Sequence, residues 1–287
     1  MSLRFIIGAS GAGKSTRVYR EIIERSTQDP AAKFFIIVPD QFTMQTQMDL
    51  VCMHEKKGIM NIDVSSFGRL THRIFEELGV ADRPMLDDTG KSLIIRKVAA
   101  GLKEQMPVIG GNLGKTGYIH EVKSVISEFM QYGIGLKELE ELTEFSRKRG
   151  QLYHKLKDLQ VIYAGFLEFI QDRFLTVEES LSVLASLVPR SKLMQGSVVV
   201  FDGFTGFTPV QNRVIEKLLE TAREVIVTVT MAPEDFLGNQ GGGQQELFSM
   251  SKRMIASLEK LAKNAKAAHG EDVVLAQEAP RFLGARQ

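Results

Sequence analysis

Gly8 to Ser15 read GASGAGKS, which fits the pattern G-x-x-x-x-G-K-[ST]. A loop of this kind suits one task, the holding of a nucleoside di- or triphosphate. Glycines at 8, 11 and 13 let the backbone curl until successive N–H groups, backed by a helix N-terminus, face phosphate oxygens. Lys14 would reach the β- and γ-phosphates, and the Ser15 hydroxyl would ligate magnesium. The expected nucleotide contacts are Gly8, Ala9, Ser10, Gly11, Ala12, Gly13, Lys14, Ser15 and Thr16. The alternative is a glycine-rich strand-to-helix turn that binds nothing.

Asp202 ends the apolar run SVVVFD, where a second carboxylate of the magnesium shell is expected, reaching the ion through water. An aspartate ending a strand can also simply cap a turn. The next residue is Gly203, where a nucleotide-hydrolysing enzyme carries a glutamate to activate water. That role is worth about 10² to 10⁴ in rate. Thr205 could hydrogen-bond a water, but a hydroxyl is a poor base near neutral pH. No catalytic residue is therefore assigned, and binding is expected to outlast hydrolysis.

These residues need strands and helices to place them. Leu3–Ile7, Phe34–Val38, Ile62–Ser65, Ser197–Phe201 and Val225–Thr230 are short, apolar and β-branched, as buried parallel strands are. Helix-like segments follow the first three, so an α/β sheet with helices on both faces is expected. Between Pro84 and Pro189 no convincing strand is found. Leu152, Leu156, Leu159, Tyr163, Phe166, Ile170 and Phe174 recur at helical spacing, and Thr176 with Glu179 forms a capping-box pattern. The expected division is a discontinuous domain, 1–84 and 190–287, with an all-helical insertion, 85–189. Within the insertion, LKELEELTEFSRKRG reads as a solvated helix side with i,i+4 ion pairs, the alternative being an interaction face. Gly238 to Gln245 reads as a flexible loop, followed by a helix from about Leu247 to Ala268.

Composition narrows the field further. The 287 residues carry a formal net charge of +1, so any DNA-binding surface must be local. The single cysteine, Cys52, can form neither an internal disulfide nor a thiolate metal site, which fits a reducing, cytoplasmic setting and a small core side chain. No stretch approaches the roughly 20 apolar residues of a membrane span, and none reads as a secretory leader. His54, His72, His120 and His154 lack metal-ligand spacing.

Three further segments carry a family resemblance. VSSFGRLTHRIF, Val64 to Phe75, resembles the TFHSLAxRIL segment of UvrD-like superfamily 1 DNA helicases. FDGFTGFTPVQ is similar to their VDEFQDTNPxQ, the family Asp falling on Asp202, the Glu on Gly203, the Gln on Thr205, the second Asp on Gly206 and the last Gln on Gln211. VPDQFTMQTQ, Val38 to Gln47, occupies the place of their single-stranded-DNA segment. Together with GASGAGKS, these resemble the B subunits of AddAB-type helicase-nucleases over about residues 1 to 235.

The resemblance implies a RecA-like P-loop NTPase domain, ATP and Mg2+ as ligands, and metal contacts from Ser15 and Asp202. It implies single-stranded DNA and a helicase-nuclease A subunit, in a heterodimer, as partners in double-strand break repair. Its DNA contacts would be Gln41, Phe42, Thr43, Ser66, Phe67 and Arg69, an exposed Phe stacking on a base. Core packing is the alternative for Phe42 and Phe67, and a solvated face for Arg69 and Arg73.

The departures matter equally. The GDxxQ segment of these helicases is replaced by VIVTVTMAPEDF, and the arginines of a second RecA-like domain have no room here. The family's nuclease domain and iron–sulfur cluster belong to later parts of its chains, and one cysteine cannot hold a cluster. The sequence is thus expected to be an N-terminal portion that holds nucleotide without being a motor. Two rivals stay open: an active NTPase or kinase with Asp40 or Asp87 as base, and a partner-binding module whose P-loop is a relic.

Overall fold

The computed structural model describes residues 1–80, 83–237 and 247–275. The expected loop Gly238 to Gln245 and the final RFLGARQ lie outside them. The chain opens with β1 (Ser2–Gly8), α1 (Lys14–Gln28), β2 (Phe34–Ile37), α2 (Thr43–Met53), β3 (Ile62–Ser65) and α3 (Phe67–Leu78). It continues through β4 (Met85–Leu86), α4 (Asp88–Leu102), α5 (Thr116–Tyr132), α6 (Leu136–Phe145), α7 (Gln151–Ile170), β5 (Leu175–Thr176) and α8 (Val177–Leu187). It closes with β6 (Val198–Phe201), α9 (Pro209–Thr221), β7 (Glu224–Thr230), α10 (Pro233–Leu237), α11 (Ser249–Asn264), β8 (Ala268–His269) and β9 (Val273–Leu275).

Contacts group these elements into two compact units, one of Met1–Val80, Val183–Phe207 and Gln211–Gln287, the other of Ala81–Ser182 with Thr208–Val210. The first holds a sheet of order β3-β2-β6-β7-β1-β8, with β9 also on β1, and every pairing is parallel. Every residue of β2 and β6 is buried, which is why both read as unbroken apolar runs: a parallel strand covered on both faces has no polar side. Ile6, Val18, Ile22, Ile36, Leu50, Val200 and Ile226 form the core between the sheet and its helices. The fold is α/β, with a parallel sheet and helices on both faces, consistent with a RecA-like domain.

The second unit is built on α4 to α7, with Ile95, Ile119, Val122, Ile126, Tyr163 and Phe166 among its buried residues. It encloses an ion pair: Lys91 Nζ donates to both carboxylate oxygens of Glu178 at 2.8 Å and to Ser127 Oγ at 3.2 Å. The capping box at α8 is present, Glu179 N–H donating to Thr176 Oγ1 at 3.2 Å and Thr176 N–H to Glu179 Oε2 at 3.1 Å.

Three expectations need correction. The stretch read as free of strands contains the two-residue pair β4 and β5, too short for periodicity to reveal. The helix expected to reach Ala268 stops at Asn264, and the chain then adds β8 and β9 along β1. Cys52 is exposed, on the outward side of the last turn of α2. No helix among the described residues is long and apolar enough to cross a membrane.

Candidate functional site

Strand order brings the two chemical loops together. The loop after β1 carries GASGAGKS, the end of β6 carries Asp202, and β7 runs between those strands. Both loops leave the carboxyl edge of the parallel sheet, where open α/β sheets bind ligands. Met231 N–H closes the corner by donating to Gly8 C=O at 3.1 Å.

Gly13 precedes α1 with φ 86°, in the left-handed region that glycine adopts without cost. The resulting turn aims the helix N-terminus back at the loop. No side chain caps that terminus and its first turn holds no acid, so its backbone N–H groups are left without a side-chain partner, as an anion site requires. Lys14 Nζ donates to the carbonyls of Gly8 at 3.0 Å and Ala9 at 2.9 Å. Burial lowers its pKa, and the charge of Asp202 opposes that shift. This is a cradle that fits a phosphate chain. Ser15, half-buried, is the second residue of α1, and Ser10 and Thr16 are exposed.

Asp202 is only 5% exposed. Its Oδ2 accepts from Tyr19 at 2.7 Å and its Oδ1 from Thr228 at 2.5 Å, and the Tyr19 hydroxyl also lies 3.3 Å from Thr46 Oγ1. Burial, then the charge of Asp202, raises the Tyr19 pKa far above its ordinary value, so the phenol remains a donor. A carboxylate offers about four acceptor positions, so two hydroxyls leave capacity for a magnesium-bound water. The donor set of Ser15 and Asp202 fits a hard cation. Among the described residues no cluster of three His, Cys, Asp or Glu could hold a metal by itself.

Gly203 sits at φ 79°, its N–H donating to Thr228 Oγ1 at 3.4 Å. Thr205 is exposed. Of the two alternative bases, Asp87 caps α4 in the helical unit by accepting from Gly90 N–H at 2.7 Å, and Asp40 is exposed in the single 3-10 turn after β2.

The six DNA candidates lie in two segments that follow β2 and β3, which are adjacent strands. Gln41, Phe42 and Arg69 are exposed, Phe42 at 46%. Thr43 is buried and donates to Asp40 C=O at 3.0 Å, and Ser66 is the buried cap of α3. Phe67 requires correction as a stacking residue: its ring is 7% exposed, stacked on Phe201 at 5.7 Å and edge-on to Phe204 at 5.8 Å. The packing alternative therefore describes it. Arg73 pairs with Asp63 and lies over the Phe35 ring, which leaves Arg69 as the cation of that helix face.

Sequence reading missed Tyr19 and Thr228. A tyrosine on the inward face of α1 and a threonine inside the apolar run VIVTVT were the available signals, since buried hydroxyls require partners.

The sequence matches the family described as "ADDB, N-terminal" over residues 5–287. It is 44% identical over 278 residues to the B subunit of the ATP-dependent helicase/deoxyribonuclease of Lachnoclostridium phytofermentans, covering 97% of this chain and 24% of that protein. The B subunits of the same name from Thermoanaerobacter sp. and Moorella thermoacetica are 33% and 32% identical, each over 98% of this chain and 24% and 25% of theirs. The chain thus spans about a quarter of the length of these curated relatives.

Proposed function

The chain belongs to the AddB N-terminal family, and we propose that it is the nucleotide- and DNA-holding, non-motor region of a helicase-nuclease B subunit acting in double-strand break repair. The observation that carries this reading is the pairing of a complete phosphate cradle with Gly203 behind Asp202. Lys14, the uncapped start of α1 and Asp202 supply attraction for ATP and Mg2+, whereas Gly203 brings no side chain to the position after Asp202 where a glutamate would activate water. Magnesium, when bound, would neutralise phosphate charge, with Ser15 and Asp202 as its protein contacts. Lys14 orients the phosphates, and Tyr19 and Thr228 hold Asp202 in place. Gln41, Phe42 and Arg69 offer the accessible surface for single-stranded DNA, and an A subunit would supply the motor.

One observation favours a second reading. Asp202 is satisfied by two protein hydroxyls, so it has a structural task even without a metal, as expected of a partner-binding module with a relic P-loop.

Magnesium-dependent ATP binding and turnover by the chain, beside Lys14→Ala, separates them. Binding that needs Lys14 with turnover near background supports the nucleotide-holding reading. Absence of binding in the parent sinks it in favour of the relic, and brisk turnover abolished by Lys14→Ala would reinstate an enzyme.

A further inference from the structure

We propose that the surface from Phe145 to Lys157 on the helical unit binds the phosphate backbone of DNA. The segment reads FSRKRGQLYHKLK and carries Arg147, Lys148, Arg149, Lys155 and Lys157 with no carboxylate between them, in a chain whose net charge is only +1. All five cations are exposed. Arg147 has an exposed partner, Glu144 at 3.5 Å, and Lys157 lies over the Tyr153 ring at 4.9 Å. Among the described residues Lys148, Arg149 and Lys155 have no ion-pair partner, although α6 carries Glu140 and Glu141 a few residues earlier. The Phe145 ring is 80% exposed, between the half-uncovered Leu142 and Leu152.

Helix-end complementarity accounts for only part of this charge. Cations just beyond α6 complement its negative end, which explains Arg147. Lys155 and Lys157 stand in the second turn of α7, beyond the first turn where a helix end interacts with charge, and the first turn holds no acid to pair with them. The Tyr153 phenol lies below its ordinary pKa, chiefly through its hydrogen bond with Lys157 and then that with Arg147, with desolvation opposing. A segment of five exposed cations, of which Lys148, Arg149 and Lys155 have no ion-pair partner among the described residues, beside one uncovered ring, complements a polyanion whose bases can also be touched. The identity of that polyanion as DNA rests on the function proposed above.

The test is fluorescence anisotropy of the full chain on a labelled single strand and a labelled duplex between about 50 and 200 mM salt. The variants are R147E/K148E/R149E, the milder K155Q/K157Q, F145A and R69E. Charge reversal is expected to weaken binding tenfold or more at low salt and to flatten the log K against log salt slope by about 2 to 3. Lys14-dependent ATP binding and thermal unfolding should remain unchanged. Losses shared by both DNA forms identify backbone contact alone, and a loss with F145A confined to the single strand adds the ring. If R69E weakens binding while the two basic-patch variants leave affinity and slope untouched, the patch is overturned and the DNA reading stands. If the parent binds neither form at low salt, both fall, and an acidic protein surface becomes the occupant to seek.

Discussion

Tyr19 donates its hydroxyl to Asp202 Oδ2 at 2.7 Å, joining the helix that follows the phosphate loop to the strand end that faces it. The contact gives the aspartate a task of its own. With Thr228 on the other oxygen, it fastens α1, β6 and β7 at one buried point. A chain that has no glutamate after Asp202 can therefore still need the aspartate.

Tyr19→Phe removes one donor from a nearly buried carboxylate and leaves that oxygen short of a partner. The expected cost is about 1–3 kcal/mol, read as a lower urea midpoint with an unchanged slope. If unfolding is unaltered, the hydroxyl pair does not hold the site together. Thr228→Val should act in the same direction, and the double variant should cost less than the sum because both act on one carboxylate.

Much of this arrangement was legible in the sequence, and the limits have physical causes. β2 and β6 announced themselves because strands buried on both faces must be apolar throughout, and the strand-to-helix turn at Gly13 and Lys14 because the G-x-x-x-x-G-K-[ST] pattern restricts residue types at fixed spacing. Tyr19 was not legible, since its partner lies 183 residues away and only the fold joins them. Phe67 misled for the opposite reason. A ring that follows a strand can face a ligand or a core, and three other phenylalanines, 201, 204 and 207, decide for the core. Strands β8 and β9 are too short to carry a pattern, and their pairing depends on an unfilled edge of β1.

In the helical unit, Lys91→Met should strand Glu178 in the interior. Breaking a buried pair from one side costs roughly 3–5 kcal/mol, whereas replacing both partners with apolar residues is often near neutral. Lys91→Met with Glu178→Leu is thus expected to recover most of the loss by chemical denaturation. A double variant as unstable as the single one would mean that the pair contributes more than its own satisfaction.

Acid should weaken the sheet unit through Glu224. Burial alone would raise its pKa, but Arg4 and Arg25, donating at 2.8 and 2.7 Å, outweigh that and hold it below the ordinary value. A depressed folded pKa means that the unfolded chain takes up the proton first. The contribution is therefore complete above the ordinary glutamate range and is lost as pH falls through the folded value. Thermal midpoints measured from the neutral range downward should fall, and Glu224→Gln should start lower and decline less steeply. Parallel curves for the two would exclude Glu224 as a source of the acid sensitivity.

Gly203→Glu tests the proposal that the site holds nucleotide without turning it over. Space does not forbid the side chain, since a Cβ there would meet only Pro39 Cδ at 3.7 Å. The backbone does object: φ is 79°, where a non-glycine residue costs about 1–2 kcal/mol. The variant should fold with that loss, which Gly203→Ala would share. Turnover is expected to stay within about tenfold of the parent, because the residue that would couple γ-phosphate to DNA and the arginines of a second domain are supplied by neither variant. A rise of about 10² to 10⁴, the range a general base confers, would mean instead that every other part of a working hydrolase is already in place, and the non-motor reading would have to be abandoned.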